Sequence, residues 1–238
     1  SCRLASLCIM HADSDDSIIS IHPTEGFPRI ARLGEDAVLV TFSHTISWDI
    51  GVRVRETAGR IRRLSLDSIK DVVPAYTTLA VYFDSTRTSF ASVVTAIEPI
   101  MAGHREQHET ETALIEIPVR YDGPDLAEVV ELTGLTPAEV IDRHSSRTYR
   151  AYACGFAPGF AYLGDLDESL VLPRRATPRV RVPAGSVAIA GAQTAVYPLQ
   201  TPGGWHLLGT TPIAMFDPKR DVPSLIRAGD TVRFIRID

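Results

Sequence analysis

Few side chains in this sequence could move a proton, attack carbon or hold a metal, and their spacing narrows the chemistry. His104 and His108 stand four apart and would share one face of a helix. A zincin needs its glutamate base directly after the first histidine, where this chain has Arg105; Glu106 comes one residue late. Without a further ligand the pair reads as a polar linker, and no metal site is expected. Gly155, Gly159 and Gly164 do not make a phosphate loop, because no Gly-Lys-Ser/Thr follows and the intervals match neither the P-loop nor GxGxxG. Around Ser186, Ala188 stands where a nucleophile elbow has its last glycine, so Ser186 is read as a turn serine bonding backbone. Cys154 ends an apolar stretch, where a thiol behaves as a small hydrophobe.

His144 ends an expected helix. Its imidazole either meets the negative end of the helix dipole or is the one side chain in its region able to move a proton near neutral pH. Gln193-Thr194 and Trp205-His206 each follow glycines and could project into a groove. An amide, a hydroxyl and an indole suit a small polar ligand, yet they are not a catalytic set.

The elements that must position these residues fall into two groups. Residues 28–33 and 37–42 form an expected hairpin around Gly34-Glu35-Asp36. Ile46, Ile50, Val54, Ala58 and Ile61 recur at helical spacing, with Ser47 as the cap. Strands are expected over 69–75 and 78–83, and a helix over 89–101. The order β-β-α-β-β-α predicts a small α+β domain over 27–103, an antiparallel sheet with helices on one face. Residues 1–26 are read as a tail. A polar stretch over 103–112 marks the boundary. After it come a strand over 113–119 and helices over 125–133 and 137–145, the second capped by Thr136 with proline in its first turn. Residues 155–218 then hold eight of the sixteen glycines and eight of the sixteen prolines. Apolar and aromatic residues fill the gaps between them, which marks short strands and tight turns, hence a mainly-β barrel or sandwich over 112–238.

Composition excludes some function classes. A net charge of −5 argues against a nucleic-acid partner, and no apolar run approaches the ~18–20 residues of a membrane helix. Three widely spaced cysteines without a CxxC pair suit a reducing cytoplasm.

Three glycine-rich motifs carry a family resemblance: Cys154-Gly-Phe-Ala-Pro-Gly-Phe-Ala-Tyr-Leu-Gly164, the segment Thr177 to Thr194, and Thr201-Pro-Gly-Gly-Trp205. Together with Ile117-Pro-Val, His144-Ser145 and Phe216-Asp217-Pro218, they resemble the KipI family, also known as allophanate hydrolase subunit 1 or as the B component of bacterial 5-oxoprolinase. The likeness spans roughly residues 28–238. Ala157, Ala161, Ala192 and Ala195 depart mildly from its pattern. The resemblance implies a cyclophilin-like β-barrel for the C-terminal domain. It also implies a KipA-like partner subunit, the two chains being fused in the carboxyltransferase domain of urea carboxylase. With a third, LamB/YcsF-like subunit, such proteins use ATP to open the lactam of 5-oxoproline to glutamate. This chain is then expected to be inactive alone, with the ATP site not assignable to it.

Under that resemblance His144 is the proton-transfer candidate. Gln193, Thr194 and the Gly203-Gly204 backbone would hold substrate oxygens, Tyr162 and Trp205 would form pocket walls, and Arg179 or Arg181 would meet an anionic group. Two other readings share the motifs. One is a KipI-like inhibitor of a histidine kinase, holding a partner segment against Phe156, Phe160 and Trp205. The other is allophanate hydrolysis or urea-carboxylase-type carboxyl transfer, for which the chain carries no biotin-carrier Met-Lys-Met.

Overall fold

The computed structural model describes residues 26–102 and 114–238. They belong to two compact units divided after residue 110. Residues 1–25, the linker over 103–112 with His104 and His108, and Cys2 and Cys8 lie outside the described residues.

The first unit runs β1 (Arg29–Leu33), β2 (Ala37–Thr41), α1 (Trp48–Arg63), β3 (Ile69–Ala75), β4 (Thr78–Phe83) and α2 (Phe90–Ala102). Its sheet is antiparallel in the order β1-β2-β4-β3. Alternation explains the layering. Val38 and Val40 face the same side as their cross-strand partners Val81 and Leu79, and Val72 joins them from β3. That face forms one core with Val54, Ala58 and Ile61 of α1 and Phe90, Val93, Val94 and Ile97 of α2. Both helices therefore cover one side of the sheet. The Ser47 hydroxyl accepts from the Ile50 amide at 3.3 Å, which sets where α1 begins. Ile46 consequently falls before the helix and is 57% exposed, instead of starting the buried stripe as its spacing suggested.

The second unit holds β5 (Leu114–Val119), α3 (Leu126–Thr133), α4 (Pro137–Ser145), β6 (Thr148–Cys154), β7 (Ala161–Gly164), β8 (Arg179–Val182), β9 (Ser186–Ala190), β10 (Gln193–Val196), β11 (Thr201–Gly203), β12 (His206–Thr210) and β13 (Thr231–Arg236). Seven of these strands form one sheet in the order β12-β9-β10-β7-β6-β13-β5, while β8 and β11 pair as a separate ribbon. Thr136 and Glu139 make a reciprocal capping box that starts α4.

The sheet nearly closes on itself. Past β5, Arg120 exchanges two backbone bonds with Thr210 of β12, N to O at 2.9 and 2.8 Å. The chain then continues along β12, with Gly123 N donating to Leu208 O and Asp125 N to Leu207 O. This seam requires glycine on both sides. A Cβ on Gly209 would lie 2.2 Å from Arg120 O, and one on Gly123 2.3 Å from Leu207 O. Inside, Ile117, Val119, Tyr149, Leu163, Val187, Ile189, Leu208, Val232 and Phe234 pack with Val129 of α3 and Val140 of α4. The result is a mixed α/β molecule with a barrel-like sheet.

The seam carries a prediction. Gly209→Ala should lower stability by at least about 2 kcal/mol, or prevent soluble folding, because the clash is with backbone that cannot rotate away. Urea denaturation of the purified variant measures it, with the exposed Ala184→Ser as a mild reference.

Candidate functional site

Asp125 precedes α3 in the capping position, yet its side chain makes no capping bond. The carboxylate is buried and turned the other way. Its Oδ2 accepts from Leu207 N at 2.7 Å and from Arg179 Nη1 at 2.7 Å, and its Oδ1 accepts from Arg179 Nη2 and from Arg175 Nη1 at 2.9 Å. Glu128, one turn into α3, pairs with Arg175 as well. Burial alone would raise the Asp125 pKa, but the Arg179 hydrogen bonds, the Leu207 amide and the two guanidinium charges outweigh it and hold the group below its ordinary value. A forked guanidinium on a carboxylate is the geometry expected of a strong, directional pair. Arg179 is therefore engaged by Asp125 and not free for a ligand anion, contrary to the expectation from its motif. Arg181 is exposed on the same strand.

The ribbon tied down by Asp125 frames a cluster of aromatic rings. Phe160 is its centre, with ring centroids 5.2 Å from Phe156, 4.9 Å from Tyr162, 5.4 Å from Tyr197 and 5.8 Å from Trp205. Tyr162 and Trp205 also meet at 6.1 Å. A tight loop feeds Phe160 into β7, with Gly155 N bonded to Phe160 O and Phe160 N to Ala157 O. Within that loop Phe156 adopts φ +75° and is 38% exposed as a residue. Such a conformation is rare for a bulky residue and marks a segment whose shape is imposed by its surroundings. The Trp205 amide donates to the Tyr197 hydroxyl. A Cβ on Gly203 would lie 2.2 Å from that hydroxyl, so only glycine lets the ribbon approach. Arg175 N donates to Gly204 O at 2.8 Å, and Gly204 lies close to Pro178. Tyr162, Gly203, Gly204 and Trp205, picked out by sequence, are thus brought together.

His144 and Thr194 are brought together elsewhere, in the barrel core, and both are fully buried. Thr194 Oγ1 donates to Ala188 O at 3.0 Å, which leaves the hydroxyl to accept from His144 Nε2 at 2.8 Å. Nε2 then carries the proton, and Nδ1 accepts from the Tyr121 hydroxyl at 2.7 Å. The ring also stacks on Phe234, with centroids 4.6 Å apart. Burial lowers the His144 pKa to about 3. A neutral imidazole with both nitrogens engaged and no exposed edge is a fastener of the core. The expected proton-transfer role is corrected on that ground, and Thr194 with it as a substrate contact. Gln193 precedes Thr194 on β10, so its side chain points to the opposite face of the sheet, where it is half-buried.

Cys154 is exposed as a residue, but its sulfur turns toward Ile226 O at 3.7 Å, and burial there raises the thiol to about 11. It remains a thiol at neutral pH. Among the described residues no three His, Cys, Asp or Glu side chains gather in a metal-holding group.

Sequence reasoning missed Asp125, Arg175 and Tyr197 as members of this region. One signal was available. Residues 174–181 carry four arginines and no acid in a chain of net charge −5, so an acidic partner from elsewhere was implied.

Barrel, ribbon and glycine motifs together define a carboxyltransferase-type domain. The family model for the carboxyltransferase domain, subdomains C and D, matches residues 28–226, and the chain belongs to that family. A Bacillus subtilis (strain 168) relative, the B component of 5-oxoprolinase, is 40% identical over 222 residues, covering 88% of this chain and 92% of its own length. Among solved structures, that of TTHA0988 matches with a TM-score of 0.77 at 40% identity over 85% of this chain, which spans only 40% of that protein. The Kluyveromyces lactis urea carboxylase matches with a TM-score of 0.74 at 14% identity, over 94% of this chain and 23% of its own; that likeness concerns the fold alone.

The geometry makes two predictions. Asp125→Ala should cost about 3 kcal/mol or more in urea denaturation, because it strands two arginines and the Leu207 amide. The second concerns pH. The folded His144 pKa lies far below the ordinary 6.5, so unfolding takes up a proton between pH 6.5 and about 3. Stability contributed by the neutral ring is complete above pH 6.5 and lost on acidification, about 2 kcal/mol by pH 5. Denaturation curves at pH 7 and pH 5 should show this loss in the parent protein and a smaller one in His144→Gln.

Proposed function

We propose that this chain is a subunit of an ATP-dependent enzyme that opens the lactam of 5-oxoproline, giving glutamate, ADP and phosphate. The observation that carries the reading is the 40% identity to the Bacillus subtilis 5-oxoprolinase component over nearly the whole of both chains. The reading includes a KipA-like and a LamB/YcsF-like partner, a cyclophilin-like barrel, a cytoplasmic location and no turnover by this chain alone.

The chemistry of the site supports a division of labour. A lactam carbonyl is a poor electrophile, and phosphorylating its oxygen with ATP activates the carbon toward water. Phosphoryl transfer of this kind depends on positioning and charge stabilisation more than on a protein nucleophile. In the aromatic cluster Phe156 reaches the surface and the Gly203-Gly204 backbone is half-buried, while Phe160, Tyr162, Tyr197 and Trp205 are buried behind them. The imidazole of His144 is sealed in the core, and the Cys154 thiol is held protonated. This chain therefore holds and orients substrate, and the partner chains bring ATP and the proton carriers.

Co-expression with the two partner chains tests the reading. ADP release that depends on 5-oxoproline should appear only when all three chains are present, and should vanish in each omission control. An assembled three-chain complex without turnover would overturn it.

A further inference from the structure

We propose that the cleft on the outer side of the barrel seam, between Arg120, Thr211 and Ile237, binds a small organic carboxylate through the Arg120 guanidinium. That its natural occupant is 5-oxoproline rests on the function proposed above; the site itself rests on the geometry.

The cleft has a volume of about 210 Å³ and is lined by Arg120, Thr210, Thr211, Pro212 and Ile237. Three segments meet there, and backbone bonds pin each of them. Arg120 exchanges its pair with Thr210, Ile237 N donates to Val119 O at 2.9 Å, and Thr211 N donates to Gly185 O at 2.8 Å. The walls cannot part without opening the seam. A recess framed by fixed backbone loses little order when it is filled, which favours binding. Its volume lies below the roughly 300–1,000 Å³ of pockets for drug-sized molecules, so the occupant is small.

The polar groups at the cleft define its charge preference. Ile117 and Val119 of β5 face the core, so Arg120, next in line, is turned outward and exposed. Its Nε donates to the main-chain oxygen of Asp238 at 3.2 Å, which holds the guanidinium at this end of the barrel. No Asp or Glu side chain among the described residues pairs with it, and its two Nη groups keep their donors. Thr211 is only 8% exposed, and its Oγ1 accepts from Ile213 N at 3.3 Å. A hydroxyl that accepts still has a proton to give, and among the described residues nothing takes this one. Thr210 donates its own hydroxyl to Asp122 Oδ1 at 2.9 Å, which engages the only side-chain carboxylate bonded to a lining residue among the described residues. The groups left over are all donors, one of them charged, which suits a carboxylate and disfavours a cation. Pro212 and Ile237 complete the lining with apolar surface, which favours an organic anion over a bare, fully hydrated one such as phosphate.

Two measurements test the site. In titration calorimetry the free full-length chain should bind one 5-oxoproline with a Kd no weaker than about 1 mM. Arg120→Ala should weaken this at least about tenfold, and Arg120→Lys should recover part of the loss. Thr211→Val removes the hydroxyl at nearly constant shape and should weaken binding about threefold or more, whereas Thr211→Ser should keep it. Arg227→Ala removes one exposed charge elsewhere in the same unit and should bind as the parent does. Inorganic phosphate should bind more weakly than 5-oxoproline, and 2-pyrrolidinone, which lacks the carboxylate, should give no saturable heat. Absence of 5-oxoproline binding, binding that survives Arg120→Ala, equal binding of 2-pyrrolidinone, or tighter binding of phosphate would each overturn the site. In the assembled three-chain complex, Arg120→Ala should raise KM for 5-oxoproline at least about tenfold while kcat changes less than about twofold. Turnover with an unchanged KM would overturn the cleft as the substrate site and leave the proposed function standing. The expected binding pattern in the free chain, without turnover in the complex, would retain the site and remove the function.

Discussion

The buried carboxylate of Asp125 is the constraint on which the rest of the second unit depends. A charge out of water is costly unless every lone pair finds a donor, and this one finds two guanidinium groups and a backbone amide. Those donors come from two stretches far from Asp125 in sequence: Arg175 and Arg179, just before and at the start of β8, and Leu207 in β12. Satisfying one carboxylate therefore fixes the start of α3, the ribbon and the strand that closes the barrel relative to one another. Asp125 reaches Leu207 only because Gly123 and Gly209 let two backbones run in contact along the seam. Seam and ion pair are one device, and the aromatic cluster lies at its end.

A second polar network lies inside the barrel, where Tyr121, His144 and Thr194 bond in series and end on the Ala188 carbonyl. Each donor and acceptor is used, so burial carries no orphan penalty, and the network links α4 to β10. The two networks differ in purpose because they differ in access. One holds a neutral ring among core residues. The other anchors charged side chains whose neighbours reach the surface.

This separation bears on what the chain can contribute chemically. The aromatic cluster sits beside elements that Asp125 holds in place. The one histidine that motif position suggested for proton transfer is spent on stability. Under the proposed function, such a chain would present a ligand and side chains from outside it would complete the chemistry.

Much of the framework was legible in the sequence. Periodicity located β3, β4, α2 and α4 to within a residue or two, because burial of one face dictates spacing over a few turns or pleats. The Thr136 cap was readable because a cap and the proline after it are adjacent in sequence, and the structure added the reciprocal bond from Glu139. The glycine-rich motifs marked the aromatic cluster, since tight approach demands glycine locally. Tertiary structure decided what depends on partners distant in the chain: that Asp125 engages Arg179 rather than capping α3, that His144 faces Phe234 and Thr194 inside the barrel, and that Ile46 falls outside the helix once Ser47 caps it. Residue type and spacing state what a side chain can do; burial and the donors within 3 Å, set by segments some fifty or more residues away, decide which of those things it does.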